Sequence, residues 1–393
     1  MFIACCHRTS AENGRVNRHP GVAIDESRIG RWARSACLLL ALSAIGIVCS
    51  AGRALAVPAH EAPAFTLRVG YQPYYAEAWA GVLVRSLRLY AGRLPATDNV
   101  AFTVGTRGAG VLVSALRRGD IDLAYLGIEP TLTVTQDLAR GDFRIIAVSA
   151  VSRRLCNVIL AQPGAPPLNS PAAIRWLSGK RIAVPRGSCA DLFLADVLAR
   201  GHVRPANIFN QSIDMLSASL RSHAVDAVAV WEPNATELVR TTGAKRLLDG
   251  NAIDESSAAF IVVRASLLRD HPDVVAGWLA AERAAELLLA RGGSAAVPLD
   301  RLESRAAELP QNVVHTAWWG DPAADPGSAP PATFPFVVTP AVSTMLESAS
   351  VRMADRGLLA KPGLRAHSVA DETARRMLAG AINPIVTNGT ARR

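Results

Sequence analysis

Several kinds of signal are missing from this chain, and each absence narrows what it can be. There is no polybasic block: 42 Lys and Arg stand against 33 Asp and Glu, for a net charge of +9 over 393 residues. Seven arginines and three acids fall within residues 1–56, so that segment carries +4 and the remainder only +5. Surfaces that track phosphates need clustered cations, which argues against nucleic acid as a partner. No G-x-G-x-x-G or Walker pattern occurs, so nucleotide binding has no support. A G-x-S-x-G elbow, an H-E-x-x-H motif and a Cys/His cluster at zinc spacing are all absent, and no metal or organic cofactor is expected. No repeat of solenoid period is present, and no second apolar run follows the first.

That single run covers residues 36–48. Arg28, Arg31 and Arg34 precede it, and Arg53-Ala54-Leu55-Ala56 follows. A basic flank, a short apolar core and an A-x-A-like exit describe a secretory signal peptide over residues 1–56, cleaved near Ala56. Cys49 follows Gly46-Ile47-Val48, a poor lipobox, so a lipid anchor is not expected. The expectation is an exported protein, periplasmic or associated with the cell surface. The 337 residues that remain suffice for two domains, each with its own core. Four of the six cysteines lie in the leader, leaving Cys156 and Cys189. Two thiols in an oxidising compartment invite a disulfide, the alternative being two separately buried small residues.

From Phe65 onward, short apolar runs alternate with amphipathic stretches. Strands are predicted at 65–70, 100–104, 121–126, 144–149, 157–162, 181–185, 225–231 and 259–263. Trp79, Val82, Leu83, Leu87 and Tyr90 recur at helical spacing. Pro272 suits the first turn of a long helix that runs through Trp278 and Leu279 toward Ala290. Residues 321–335 read as a surface loop. Residues 340–383 read as helical, with Met345, Leu346, Met353, Leu358 and Met377 as apolar positions. Alternating strands and helices imply an α/β fold of right-handed βαβ units and mainly parallel sheets.

Two internal echoes suggest a pair of lobes. Residues 104–116, VGTRGAGVLVSAL, and residues 184–198, VPRGSCADLFLADVL, both run strand, Arg-Gly, small residues, amphipathic helix. Gly108 and Gly110, like Gly187 and Ser188, leave helix N-terminal N–H groups uncovered, where a carboxylate, sulfonate, nitrate or phosphate is favoured. Residues 119–130, GDIDLAYLGIEP, and residues 224–233, AVDAVAVWEP, each enter an apolar strand that ends in Glu-Pro. Ligands of open α/β sheets lie outside the carboxyl ends of the strands, which places Glu129 and Glu232 at comparable rims. Glu232 reads equally as a ligand contact or as an N-cap or hinge residue. Asp122 and Asp226 read as turn or capping residues away from the cleft. The first strand ends in GYQPYY, residues 70–75, where Tyr71 and Gln72 are read as contacts, with Trp231 at the opposite rim. Tyr74 and Tyr75 are left open between contact and core. Glu129 suits a ligand with an amine or ring N–H, whose anionic end would sit on the helix N-termini.

Taken in order, GYQPYYAEAWAGVL, GDIDLAYLGIEP, GKRIAVPRGSCAD, VDAVAVWEP and FIVVRASLLRDHPDVVAGWLAA resemble the nitrate/sulfonate/taurine class of ABC-importer solute-binding proteins. The resemblance covers roughly residues 65–290, and Phe334-Pro335-Phe336 is similar too. It implies a type II periplasmic-binding fold, with two Rossmann-like lobes joined by two crossing hinge strands near 147–152 and 259–263. Lobe 1 would comprise 64–150 and 263–393, the latter with a helical extension, and lobe 2 would comprise 151–262. The implied ligand-binding residues are Tyr71, Gln72, Thr106, Arg107, Gly108, Gly127, Ile128, Glu129, Gly187, Ser188, Cys189, Trp231 and Glu232. The implied partners of a monomeric binder are a small solute and an ABC permease in the membrane. Members of the class bind nitrate, taurine, alkanesulfonates, bicarbonate or thiamine-precursor pyrimidines.

An enzyme on the same fold is the competing reading, because Cys189 sits at a helix N-terminus where a thiolate would be stabilised. A nucleophile needs a base, and His202, His223, His271 and His315 belong to no recognisable signature. A yeast-type pyrimidine synthase shares the fold, but its cysteine-rich metal motif is absent here. A binder rather than an enzyme is therefore expected.

Overall fold

A computed structural model describes residues 65–95, 99–108, 110–291, 296–320 and 332–380. The expected signal peptide lies outside the described residues, as do 321–331 of the expected loop and 381–383 of the expected C-terminal helix. Ten strands are described: β1 (Thr66–Tyr71), β2 (Asn99–Val104), β3 (Leu123–Gly127), β4 (Phe143–Ser152), β5 (Val158–Ala161), β6 (Arg181–Val184), β7 (Asn207–Asn210), β8 (Ala227–Val230), β9 (Lys245–Asp249) and β10 (Ser257–Arg264). They form two five-stranded sheets, ordered β2-β1-β3-β10-β4 and β7-β6-β8-β5-β9.

Both sheets repeat one plan. In the first, β1 pairs in parallel with β2 and β3, while β10 runs antiparallel between β3 and β4. In the second, β6 pairs in parallel with β7 and β8, while β5 runs antiparallel between β8 and β9. Each sheet is thus mixed rather than mainly parallel, and the reason is topological. The reversed strand is the one that returns from the other sheet, β5 following β4 and β10 following β9. Helices flank both sheets, so the central strands β3 and β8 are buried along their whole length and read as unbroken apolar runs. The long helix begins at Pro272 and extends to Arg291, while the region after Pro340 divides into helices Pro340–Asp355 and Glu372–Leu378.

The same ionic clamp opens both lobes. At the start of β1, Arg68 donates its backbone N–H (3.0 Å) and its guanidinium Nε (2.9 Å) to Asp122. At the start of β6, Arg181 does the same to Asp226, at 2.8 and 3.1 Å. The two aspartates therefore lie away from the cleft, as ion-paired clamps that fix one parallel strand against the next rather than as simple turn residues.

The structure joins Cys156 and Cys189 in a disulfide, with Cα atoms 6.1 Å apart. The bond ties the entry to β5 to the first residue of helix Cys189–Arg200.

Candidate functional site

The carboxyl ends of the parallel strands face a cleft of about 360 Å³. The first sheet contributes Gln72 after β1, Gly108 and Gly110 after β2, and Gly127, Glu129, Pro130 and Thr133 after β3. The second contributes Pro185, Arg186, Gly187, Ser188 and Cys189 after β6, and Trp231 after β8. Tyr75 and Val113 complete the wall. Eight of the thirteen residues expected from sequence therefore line one cavity: Gln72, Gly108, Gly127, Glu129, Gly187, Ser188, Cys189 and Trp231.

Five do not line it. Tyr71 is 1% exposed and packs edge-on against Phe102, with the Arg85 guanidinium 5.3 Å from its ring centre. Side chains alternate along a strand, and Gln72 rather than Tyr71 turns to the cleft. Ile128 is buried in the core behind the cleft, and Thr106 is exposed. Glu232 is 1% exposed and already satisfied: its carboxylate binds Arg246 and accepts the Thr236 N–H at 3.0 Å. It caps the first turn of helix Asn234–Thr242, and its backbone carbonyl accepts the Ala76 N–H from the other lobe at 3.0 Å. Of the two readings of Glu232, the capping and hinge one fits. Arg107 reaches across instead of inward, donating to Asn234 (2.8 Å) and Glu237 (2.6 Å) while lying over the Tyr74 ring.

The first echo is a likeness of sequence without equivalence of position. β6 corresponds to β1, so the counterpart of the Arg186-Gly187 turn is the turn at Tyr71-Gln72. The counterpart of Arg107-Gly108 is the turn that follows β7. Both Arg-Gly turns border the cleft all the same. The second echo is positional, since β3 and β8 occupy the same place in their sheets.

Local sequence explains the two turns that matter most. Gly187 has φ +72°, a region that costs an L side chain. A Cβ on Gly127 would lie 2.9 Å from the Tyr75 hydroxyl, so glycine admits that ring to the cleft wall. Ser188 caps helix Cys189–Arg200 by accepting the Asp191 N–H, and Asp191 in turn accepts the Gly187 N–H at 3.0 Å. This reciprocal cap consumes part of the expected anion cradle. The N–H groups of Cys189 and Ala190, in the first helical turn, have no intrahelical acceptor.

Charge in the cleft is sparse. Arg186 is exposed at its edge, and no ion pair is described for its side chain. Glu129 is 2% exposed; burial pushes its carboxyl up to about 8, against the pull of a backbone hydrogen bond, with Glu77 adding to the rise. Glu77, behind the wall, is raised by burial to about 7, opposed by hydrogen bonds from Ser257 and Tyr75. Glu129 is thus mostly neutral at pH 7, which removes its conflict with an anionic ligand. Cys189, bound to Cys156, has no thiolate to offer as a nucleophile. Among the described residues no group of three or more His, Cys, Asp or Glu could hold a metal, and no helix is long and apolar enough to cross a membrane.

Sequence reasoning left Gly110, Val113, Pro130, Thr133, Pro185 and Arg186 out of the expected contacts, although Gly110 and Arg186 belong to the two turns it singled out, and it left Tyr75 open. Pro130 and Thr133 follow Glu129 in helix Ile128–Thr135, and the i, i+4 spacing from Glu129 to Thr133 was the available signal.

Residues 112–292 match the family described as NMT1/THI5 like. A Bacillus subtilis (strain 168) protein assigned as an aliphatic sulfonates-binding protein is 28% identical over 162 residues, covering 40% of this chain and 46% of that protein. The chain thus spans less than half the length of this curated relative. The alkanesulfonate-binding protein of Xanthomonas axonopodis pv. citri, solved with MOPS, superposes with TM-score 0.63 at 23% identity, over 78% of this chain and 98% of that one. The periplasmic nitrate-binding protein of Synechocystis PCC 6803 does so at 0.62 and 14%, over 81% and 89%. A desulfurization enzyme also superposes, at 0.57 and 17%, over 81% and 99%. At these identities the superpositions establish the two-lobed fold of periplasmic binding proteins and nothing finer.

Proposed function

We propose that this chain, whose residues 112–292 match the family described as NMT1/THI5 like, is the solute-binding component of an ABC importer. In this reading it captures a small organic oxyanion, with sulfonates first in line, in the cleft between its two lobes. The observation that carries the reading is the convergence on one cavity of two helix N-termini, Arg186 at the edge, and Glu129, whose carboxyl burial raises to about 8. A positive dipole end and a cation favour an anion, and a neutral acid does not repel it. The largely apolar remainder, including Trp231, Tyr75 and Val113, suits an organic tail. The likeness to sulfonate-binding proteins supports the same ligand class.

The proposed lobes are 64–150 with 263–393, and 151–262, hinged on the antiparallel pair β4 and β10. Closure by rotation about that pair would bring Arg107 to Asn234 and Glu237, as seen here. The chain is read as exported by the leader over residues 1–56, working as a monomer that delivers its solute to a membrane permease. Disulfide-bonded Cys189 weighs against the enzyme alternative.

Calorimetric titration of the purified protein with ethanesulfonate, MOPS, taurine and nitrate tests the ligand class. Micromolar or tighter binding of a sulfonate, weakened at least tenfold by Arg186→Ala, is the expected result. Absence of binding by all four would overturn the oxyanion reading.

A further inference from the structure

Glu129 presents an unusual combination. Glu129 lines the cleft, it is 2% exposed, and its Oε2 is buried with no hydrogen-bond partner. Buried polar atoms in folded proteins nearly always have partners, so an unpartnered oxygen on a residue of the cleft wall points to a polar atom of the ligand as its partner. Among the described residues no salt bridge compensates the group. Arg352, which shares a water-sized cavity with Glu129, is committed elsewhere, binding Asp196 and Glu255 at 3.2 Å each.

The acids on the neighbouring elements raise the carboxyl and one arginine opposes them. Glu77, on the turn after β1, raises the carboxyl. Asp191, on helix Cys189–Arg200, raises it too, while Arg352 on helix Pro340–Asp355 lowers it. Asp196 and Glu255 border the small cavity and hold Arg352. Tyr75, beside Glu129 in the cleft wall, donates to Glu77 at 2.5 Å. Arg186 is the one cation that lines the cleft among the described residues. A buried carboxylate beside the acids Glu77 and Asp191 is costly, whereas a carboxylic acid carries an O–H that can be donated.

We propose that Glu129 takes part in ligand capture as the protonated acid, donating its O–H to an oxygen of the bound anion, so that wherever Glu129 is ionised beforehand the anion is captured together with a proton. The inference rests on the oxyanion reading above and deepens it. No bond is made or broken: an unprotonated Glu129 takes one proton from solvent as the anion enters, and returns it when the anion leaves. The position thus selects ligands with an acceptor oxygen at that depth, and it disfavours an ammonium there.

The test is calorimetry with ethanesulfonate in Tris and in borate, from pH 6.5 to 9.5. The dependence of the heat on buffer ionisation counts the protons taken up. With a carboxyl that titrates near pH 8, uptake should be near zero at pH 6.5 and approach one at pH 9.5. Affinity should fall about 30-fold between pH 7 and 9.5. Glu129→Gln keeps a donor but cannot titrate, so it should bind ethanesulfonate with no proton uptake and a flat pH profile. Glu77→Gln, in which the raised neighbour cannot charge, should keep the linkage. If ethanesulfonate binds with pH-independent affinity, or releases protons, this inference is wrong while the oxyanion reading survives. If Glu129→Gln retains the full linkage, the wrong group has been named. If neither protein binds any sulfonate at pH 6.5, both readings fall.

Discussion

Replacing both Cys156 and Cys189 by alanine removes a cross-link without introducing charge or volume, since both residues are buried and small. The bond spans a sequence separation of 33 residues. In the chain-entropy account, a loop of that length constrains the unfolded chain by about 3.7 kcal/mol, and measured losses for native disulfides run about 2–5 kcal/mol. Both cysteines flank strands of the second sheet, so the loss should fall there. The assay is urea denaturation of the two proteins under non-reducing conditions, followed by amide exchange at a sub-denaturing concentration. We expect the midpoint to drop by an amount equivalent to about 2–4 kcal/mol, with faster exchange in β5, β6 and β8 and little change in β1 to β3. The bond also pins the Gly187-Ser188-Cys189 turn, so the variant should lose several-fold in ligand affinity through the cost of ordering that turn. Two reactive thiols per chain in denatured, unreduced wild-type protein, or equal stability of the variant, would refute this reasoning.

Three further outcomes follow from the geometry. Gly127→Ala sets a Cβ 2.9 Å from the Tyr75 hydroxyl and should cost about 1–3 kcal/mol in thermal or chemical unfolding, with loss of ligand binding. Arg107→Ala removes the contacts to Asn234 and Glu237 across the cleft; small-angle scattering of the ligand-free protein should show a larger radius of gyration, and affinity should fall about three- to tenfold through faster release. Stability should also decline toward alkaline pH. Burial raises Glu77 and Glu282 to about 7 and Glu129 to about 8, so the folded chain holds protons that the unfolded chain has released. Unfolding free energy must then fall from about pH 4.5 through pH 8, and Glu129→Gln should flatten the upper part of that decline.

Most of the strand plan was legible because central strands declare themselves. The runs that became β3, β4, β8 and β10 are continuous and apolar, and their predicted extents fall within about three residues of those observed. β7 and β9 escaped detection because they are the edges of the second sheet. β7 reads Asn-Ile-Phe-Asn and is mostly exposed, and β9 begins Lys-Arg, so neither shows the buried pattern that signals a strand. The reversed direction of β5 and β10 was equally hidden, because no residue type marks which way a strand enters a sheet.

The site shows the same division. Gly108, Gly187 and Ser188 were found from turn chemistry, which is local and therefore written in adjacent residues. Tyr71 and Glu232 were misplaced or undecided because each has chemistry suited to a ligand but is consumed by neighbours distant in sequence, Phe102 and Arg85 in one case and Arg246 in the other. Sequence alone determined the alternation of elements, the two lobes and the turns that form the cleft, since these follow from short-range periodicity and backbone preference. Only the tertiary structure decided which side chains face the cavity, which charges are already paired, and that Glu129 Oε2 is buried without a partner. Those properties belong to the spacing between elements rather than to any one of them, and it is that enclosure which raises the Glu129 carboxyl.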